Sequence, residues 1–353
     1  MNSSGLFFAM KKALKWIGII LLVYLGYNWE LVLYGLRQGA GQYKIITEAK
    51  PIEVVLTDPV FPDSLKLKIE LIQEVRKFAV SELGLADSEN YTTLYDQKGQ
   101  AILWVVEACP EFSLEPYKWS FPILGDLAYK GFFEKELAEN EAKRLSDLGF
   151  ETDLGTVSGW STLGWFSDPI LSNMLYRSDA RLAELIIHEL THASMYVKGD
   201  DRLNENIATL IGRKGAERFL ASDTLRFAEE LRKYQASMHD KKRYSAHLNR
   251  GVKRLDSLYS ALQAIEELSK KRSLKTALIH EVFDDADSIS FQRASSYTFL
   301  KRRDTIPNNV YFTGFQQYNA LQDSLEHVFE ENYNANVLLF IEAMIEEHGT
   351  VSK

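Results

Sequence analysis

A single cysteine, Cys109, stands among 353 residues. That scarcity excludes an internal disulfide framework, and with it any multi-cysteine zinc site or iron–sulfur cluster. A metal held by this chain must therefore be held by histidine and carboxylates. Basic charge is also short: 41 Lys+Arg face 49 Asp+Glu, for a net charge of −8. A chain this acidic offers no basic face for phosphates, which argues against a nucleic acid partner. From Gln38 onward there is no Pro/Gly/Ser-rich linker, internal repeat or low-complexity tract, so a single domain is the simplest division. With 46% hydrophobic residues, that domain can fill a sizeable core.

Long apolar runs are likewise missing, except near the N-terminus. Lys11, Lys12 and Lys15 precede an unbroken apolar run at residues 16–27, and apolar character resumes through residues 31–36. The interrupted stretch 16–36 is long enough to cross a bilayer, and no small-x-small cleavage site follows it. The expectation is an uncleaved signal anchor with the N-terminus in the cytoplasm, by the lysines before the span, and the body outside. The chain then divides into 1–36, a cytoplasmic N-terminus and transmembrane helix, and 37–353, an extracytoplasmic domain.

Hydrophobic periodicity predicts helices over 62–83, 132–148 and 180–197, and a buried strand over 101–109. Residues 151–166 read as one or two strands. Beyond Leu203 the chain reads as mostly helical, with charged stretches 216–239 and 252–271 expected to pair as a hairpin.

The chemistry concentrates in His188-Glu-Leu-Thr-His192. Two histidines four apart project from one face of a helix, so both imidazoles can reach one metal ion, and Glu189 can face the open position and accept a proton from water. A third ligand should follow a chain reversal. Gly199-Asp200-Asp201 supplies the break, and Leu203-Asn204-Glu205 begins the next helix, which makes Glu205 the candidate third ligand. Asp200, Asp201 and Glu217 are rival carboxylates of lower rank. His239, His247, His280, His327 and His348 stand alone on polar helical stretches and are expected to be solvent-exposed.

The stretch Gly159-Trp-Ser-Thr-Leu-Gly-Trp-Phe-Ser-Asp-Pro-Ile-Leu171, followed by His188-Glu-Leu-Thr-His192, Tyr196-Val-Lys-Gly-Asp200 and Asn204-Glu205, resembles a bacterial predicted zinc aminopeptidase family related to the gluzincins. The resemblance continues through Glu111-Phe-Ser-Leu-Glu-Pro116, Tyr129-Lys-Gly-Phe-Phe133 and Pro307-Asn-Asn309 to Tyr318. It implies an α+β fold, mostly α-helical, in which a zincin-like metallopeptidase domain carries a small sheet. It also implies one zinc ion on His188, His192 and Glu205, with Glu189 as catalytic base, and a location at the bacterial cell membrane with the domain on the periplasmic side. Members of that family often carry a lipoprotein cysteine where this chain has Tyr27, and two further cysteines where it has Ser120 and Asp126. The chain also lacks expected acids at Gly212 and Thr209, so support for the histidines must come from elsewhere.

The implied reaction is zinc-assisted amide hydrolysis of peptides, with Tyr318 as candidate stabiliser of the oxyanion. The segment 160–166 could align substrate by backbone hydrogen bonds. Exopeptidase action also needs an acid to hold the free amine, and Glu111 and Glu115 are weak candidates. An envelope endopeptidase, or a catalytically weak zinc-containing binding or scaffold protein, are the alternatives to an aminopeptidase.

Overall fold

A computed structural model describes residues 12, 13, 15, 16, 19, 23, 25–122, 125–157, 167–301 and 307–348. The chain separates into two units, 1–48 and 49–353. In the first, helix α1 (Trp29–Glu48) runs past the expected boundary at residue 36, because no proline intervenes before Pro51. Among the described residues no helix is long and apolar enough to cross a membrane. Much of the expected span lies outside the described residues, namely positions 17, 18, 20–22 and 24.

Among the described residues the second unit is α+β and mostly helical, with three small sheets. It begins with β1 (Lys50–Pro51), α2 (Ile52–Thr57), α3 (Asp63–Leu83), β2 (Thr93–Tyr95), β3 (Trp104–Pro110), β4 (Trp119–Phe121), β5 (Gly125–Leu127) and β6 (Tyr129–Phe132). It continues with α4 (Lys135–Asp147), β7 (Phe150–Thr156), β8 (Ile170–Leu171), α5 (Asp179–Ser194), α6 (Asp201–Ser222), α7 (Thr224–Leu262), α8 (Leu268–Asp285), α9 (Asn309–Asn319), α10 (Gln322–Tyr333) and α11 (Val337–His348).

Gly84, at φ +70, caps α3 in the left-handed region that glycine tolerates best. The helix expected over 132–148 starts later, because Phe132 is taken by strand β6 opposite Trp104. The principal sheet has the order β6-β3-β7, antiparallel throughout. Its even-numbered β3 residues Val106 and Ala108 are buried, while Val105 and Glu107 lie on the other face and are only partly covered. The lone Cys109 is also buried, and burial pushes its thiol up to about 12.

Two expectations need correction. The stretches 216–239 and 252–271 do not pair, since both feed the 39-residue helix α7. The hairpin is instead α7 against α8, because Tyr244, Leu248, Val252, Leu255 and Tyr259 form a buried stripe along α7 that packs on Ile279, Val282 and Phe283. His247 lies in that interface and is buried, with Nε2 2.7 Å from the Val282 carbonyl oxygen.

Strands β4 and β5 form a hairpin that places Ser120 directly opposite Asp126, and the two side chains hydrogen-bond. Directly opposed positions on antiparallel strands bring Cβ atoms close enough to bridge. The double variant Ser120→Cys, Asp126→Cys is expected to form an internal disulfide under oxidising conditions, read as a loss of about 2 Da in mass with no free thiol at either position.

Glu141 ties this hairpin to α4. Its carboxylate accepts from Trp119 Nε1 at 2.7 Å and from Arg144 at 2.8 and 2.9 Å, with Lys130 at 3.6 Å. Burial alone would raise its pKa, but the hydrogen bonds from Arg144 and Trp119 outweigh it and hold the group at about 2, against an ordinary 4.5. A carboxylate whose folded pKa is depressed contributes stability above its unfolded value, and that contribution disappears as pH falls through the folded value. Glu141→Gln should therefore cost about 1 kcal/mol at pH 7 once solvent screening is allowed for. In denaturant titrations the difference from the parent chain should shrink between pH 4.5 and 2.

Candidate metal centre

Helix α5 starts at Ser178, whose side chain accepts from the Arg181 amide, and it buries Leu182, Ala183, Ile186, Ile187 and Leu190. That apolar stripe seats the helix in the core and turns His188, Glu189 and His192 toward a partly exposed surface. The helix expected to reach residue 197 ends at Ser194, because Met195 is extended (φ −151, ψ 150). The link back to α6 is then clamped by Asn204. Its Oδ1 accepts from the Val197 amide at 2.7 Å, while its Nδ2 donates to the carbonyls of Val197 at 2.7 Å and Asp200 at 3.0 Å. Gly199, at φ +82, makes the reversal, and Asp200 caps α6 by accepting from the Leu203 amide at 2.9 Å.

This clamp carries Glu205 onto the histidine pair. The Nε2 atoms of His188 and His192 lie 3.2 Å apart. Glu205 Oε2 is 3.4 Å from His188 Nε2, and Oε1 is 3.5 Å from His192 Nε2. Among the described residues these three form the group able to hold a metal ion. The rivals are engaged elsewhere: Asp200 caps the helix, Asp201 accepts from the Tyr196 hydroxyl at 3.3 Å, and Glu217 accepts from Gln235 at 2.7 Å.

The donors fit a small tetrahedral ion. Four ligands about 2.0–2.1 Å from a zinc ion lie about 3.3–3.4 Å from one another. The two Nε2 atoms, 3.2 Å apart, match that edge; Glu205 brings a different oxygen to each imidazole, Oε2 at 3.4 Å from His188 and Oε1 at 3.5 Å from His192, and one atom from each residue lies within 4.8 Å of the others.

Charges at the site follow from burial and proximity. Burial and the neighbouring His188 charge lower the pKa of His192, which keeps that imidazole neutral and available as a ligand. Burial acts on His188 in the same direction, but Glu205 and Glu189 outweigh it and raise its pKa. The Glu189 carboxyl is raised to about 7, chiefly by burial, with the charges of Glu205 and Asp168 adding to it.

The acid expected at position 212 is missing for a steric reason. A Cβ on Gly212 would stand 2.9 Å from the Glu184 carbonyl oxygen and 3.1 Å from the His188 Cβ. Gly215, one turn on, similarly meets Ile187 and Leu83 at 2.9 Å. The bare backbone lets α6 approach α5 closely enough for Glu205 to reach both imidazoles. Thr209, the other position lacking an acid, is buried.

Tyr318 sits on α9, which is pinned at both ends. At its start, Asn309 Nδ2 donates to the carbonyls of Pro110, Glu111 and Ser113 at 3.0, 3.1 and 2.9 Å, and Asn309 Oδ1 accepts from the Tyr259 hydroxyl at 2.6 Å. At its far end, Asn206 Nδ2 donates to the Gln317 carbonyl at 2.9 Å, and Asn206 Oδ1 accepts from the Leu321 amide at 3.1 Å. Asn206 follows Glu205, so one short segment of α6 presents the carboxylate and docks the Tyr318 helix. Burial, then the charge of Glu205, raises the Tyr318 hydroxyl far above its ordinary range, with Tyr129, Glu107 and Glu189 adding to the shift.

Three residues with unusual surroundings escaped the sequence reading. Burial, then the charges of Glu205 and Asp201, push the Tyr129 hydroxyl up to about 12. Glu107 is the charged residue in an otherwise apolar strand, a break in pattern that could have singled it out. Tyr91 is fully buried at φ 63, and among the described residues no partner meets its hydroxyl, whose pKa is raised by burial and then by Glu189 and Asp168. A strained backbone and an unsatisfied hydroxyl in one residue are features that gather at functional sites.

Glu111 is held by Arg272 through contacts of 2.6 and 3.0 Å, which removes it as an unengaged anchor for a substrate amine, and Glu115 is exposed. Segment 160–166 lies outside the described residues.

The family model described as "Putative aminopeptidase" matches residues 33–349. The chain belongs to this family. Its match covers both elements of the metal group and the Tyr318 helix. No curated protein and no solved structure matched the chain.

Proposed function

We propose that the chain is a zinc-dependent aminopeptidase with a zincin-like domain, tethered to the bacterial membrane by the apolar segment that follows Lys15 and facing the periplasmic side. Family membership supports peptidase activity. The observation that carries the metal is the convergence of His188, His192 and Glu205, whose two nitrogens stand 3.2 Å apart, near a tetrahedral edge, with a Glu205 oxygen within 3.5 Å of each. His188 and His192 would hold the ion through Nε2 and Glu205 through a carboxylate oxygen, leaving one position open. Bound there, zinc supplies a Lewis acid that polarises the scissile carbonyl and acidifies water.

The remaining work falls to the chain. Glu189, next in sequence to one ligand and partly buried beside the group, takes the proton from the attacking water and returns it to the leaving amine. The Tyr318 hydroxyl, on a side chain that is 46% exposed and held protonated in the field of Glu205, donates to the developing oxyanion. Asn204 and Asn206 hold Glu205 and Tyr318 in their relative positions.

Elemental analysis of the purified full chain tests the metal reading: one zinc per chain is expected, with hydrolysis of aminoacyl p-nitroanilides lost on chelation and restored by zinc. A preparation that hydrolyses these substrates with no bound metal contradicts it.

A further inference from the structure

Helix α1 (Trp29–Glu48) carries a repeat that the metal group does not use. Trp29, Leu36 and Tyr43 follow one another at intervals of seven residues and stand 59%, 67% and 71% exposed. Seven residues make two helical turns, so the three line up on one side of the helix. Val32, Gly39 and Ile46, each three residues further on, fill the gaps and continue the same face. With Trp29 as position a of a heptad, every a position holds a large apolar residue, and the d positions hold Val, Gly and Ile without one polar side chain. That is the seam of helices that pair along their length.

The placement of charge selects the partner. The charged residues of α1 are Glu30, Arg37, Lys44 and Glu48, and all of them fall on the outer b and f positions. The flanks of the seam hold Leu33, Ala40 and Thr47 on one side and Gly35 and Gln42 on the other, none of them charged. Charges on those flanks are what sets partner choice between paired helices, and like charges there keep identical helices apart. Flanks without charge let two identical helices meet with no repulsion. Close approach is open as well, since a Cβ added at Gly35 or Gly39 would meet nothing within 4 Å. Lipid does not account for the whole face. The expected span ends at residue 36, and Tyr43 lies about 10 Å further along the helix axis.

We propose that α1 pairs with the α1 helix of a second copy of this chain, parallel and in register, along Trp29, Val32, Leu36, Gly39, Tyr43 and Ile46. The parallel direction rests on the membrane tether, which presents the helices of two copies with the same end toward the bilayer. The pairing itself is independent of the zinc-peptidase reading.

The test is oxidative crosslinking of single-cysteine variants of the full chain in bacterial membranes. The native Cys109 is buried, so the parent chain gives a low background. Trp29→Cys, Leu36→Cys and Tyr43→Cys should each yield a band at twice the monomer mass. Glu30→Cys, Arg37→Cys and Lys44→Cys, one residue round the helix on the outer face, should yield about 10-fold less. Adding Leu36→Lys to Tyr43→Cys should lower its crosslinking by about 10-fold or more, because the seam would then bury an unpaired charge. No crosslinking at the seam, or equal crosslinking at seam and outer positions, overturns the pairing and leaves lipid or a different protein to cover the face. Crosslinking at Leu36→Cys alone, the midpoint of the stripe, marks an antiparallel pair and overturns the parallel arrangement. Recovery of the chain outside the membrane fraction contradicts the tether, and the same crosslinking pattern on that soluble sample then decides the pairing by itself.

Discussion

Glu189→Gln is expected to lower kcat/KM for peptide substrates by about 10³-fold or more while leaving one zinc per chain, because an amide of the same shape can neither accept nor return a proton. The carboxylate is not one of the three donors, so its loss leaves the metal group's geometry in place. Two readouts together make the experiment decisive: steady-state kinetics on free-amine peptides, and zinc stoichiometry on the same sample. Retained activity with retained zinc would remove Glu189 from the mechanism. A parent chain that carries zinc but turns over no peptide, with or without this substitution, would favour the scaffold reading.

Gly212→Ala should destabilise the fold by about 2 kcal/mol and weaken zinc binding by about 10- to 100-fold. The added methyl would meet the Glu184 carbonyl oxygen at 2.9 Å, a backbone atom inside helix α5 that cannot swing aside, and the His188 Cβ at 3.1 Å. Helices α5 and α6 must then separate, and the separation is felt where Glu205 reaches across to the imidazoles. Gly155→Ala is the control, since a Cβ there meets nothing within 4 Å. Thermal melting and chelator competition should show a loss for the first variant and little change for the second.

What could be read from the residues depended on how local the information was. The histidine pair was legible because a helical repeat of 3.6 residues puts positions four apart on one face. Glu205 was legible because a glycine-bearing break announced a reversal and the next helix offered a carboxylate within its first turns. Position 212 was visible only as a missing acid; that its emptiness permits close helix approach depends on how α5 packs against α6. Tyr129 and Tyr318 are placed by sheet register and by clamps made by Asn206 and Asn309, and such long-range pairings leave little trace in a local window. The helical hairpin was misplaced because charged faces hid the buried stripe of Tyr244, Leu248 and Leu255 that runs through one continuous helix. His247 was misjudged for the same reason, its polar surroundings in sequence concealing a buried partner on the adjacent helix.

The central claim is that His188, His192 and Glu205 hold one zinc ion. An anomalous difference map from crystals of the purified chain, collected on both sides of the zinc absorption edge, tests it most directly. The account predicts one peak per chain, present only above the edge, about 2.0–2.2 Å from both Nε2 atoms and a Glu205 oxygen. A zinc-replete crystal with no peak among these three residues, or with its peak on other side chains, would contradict it.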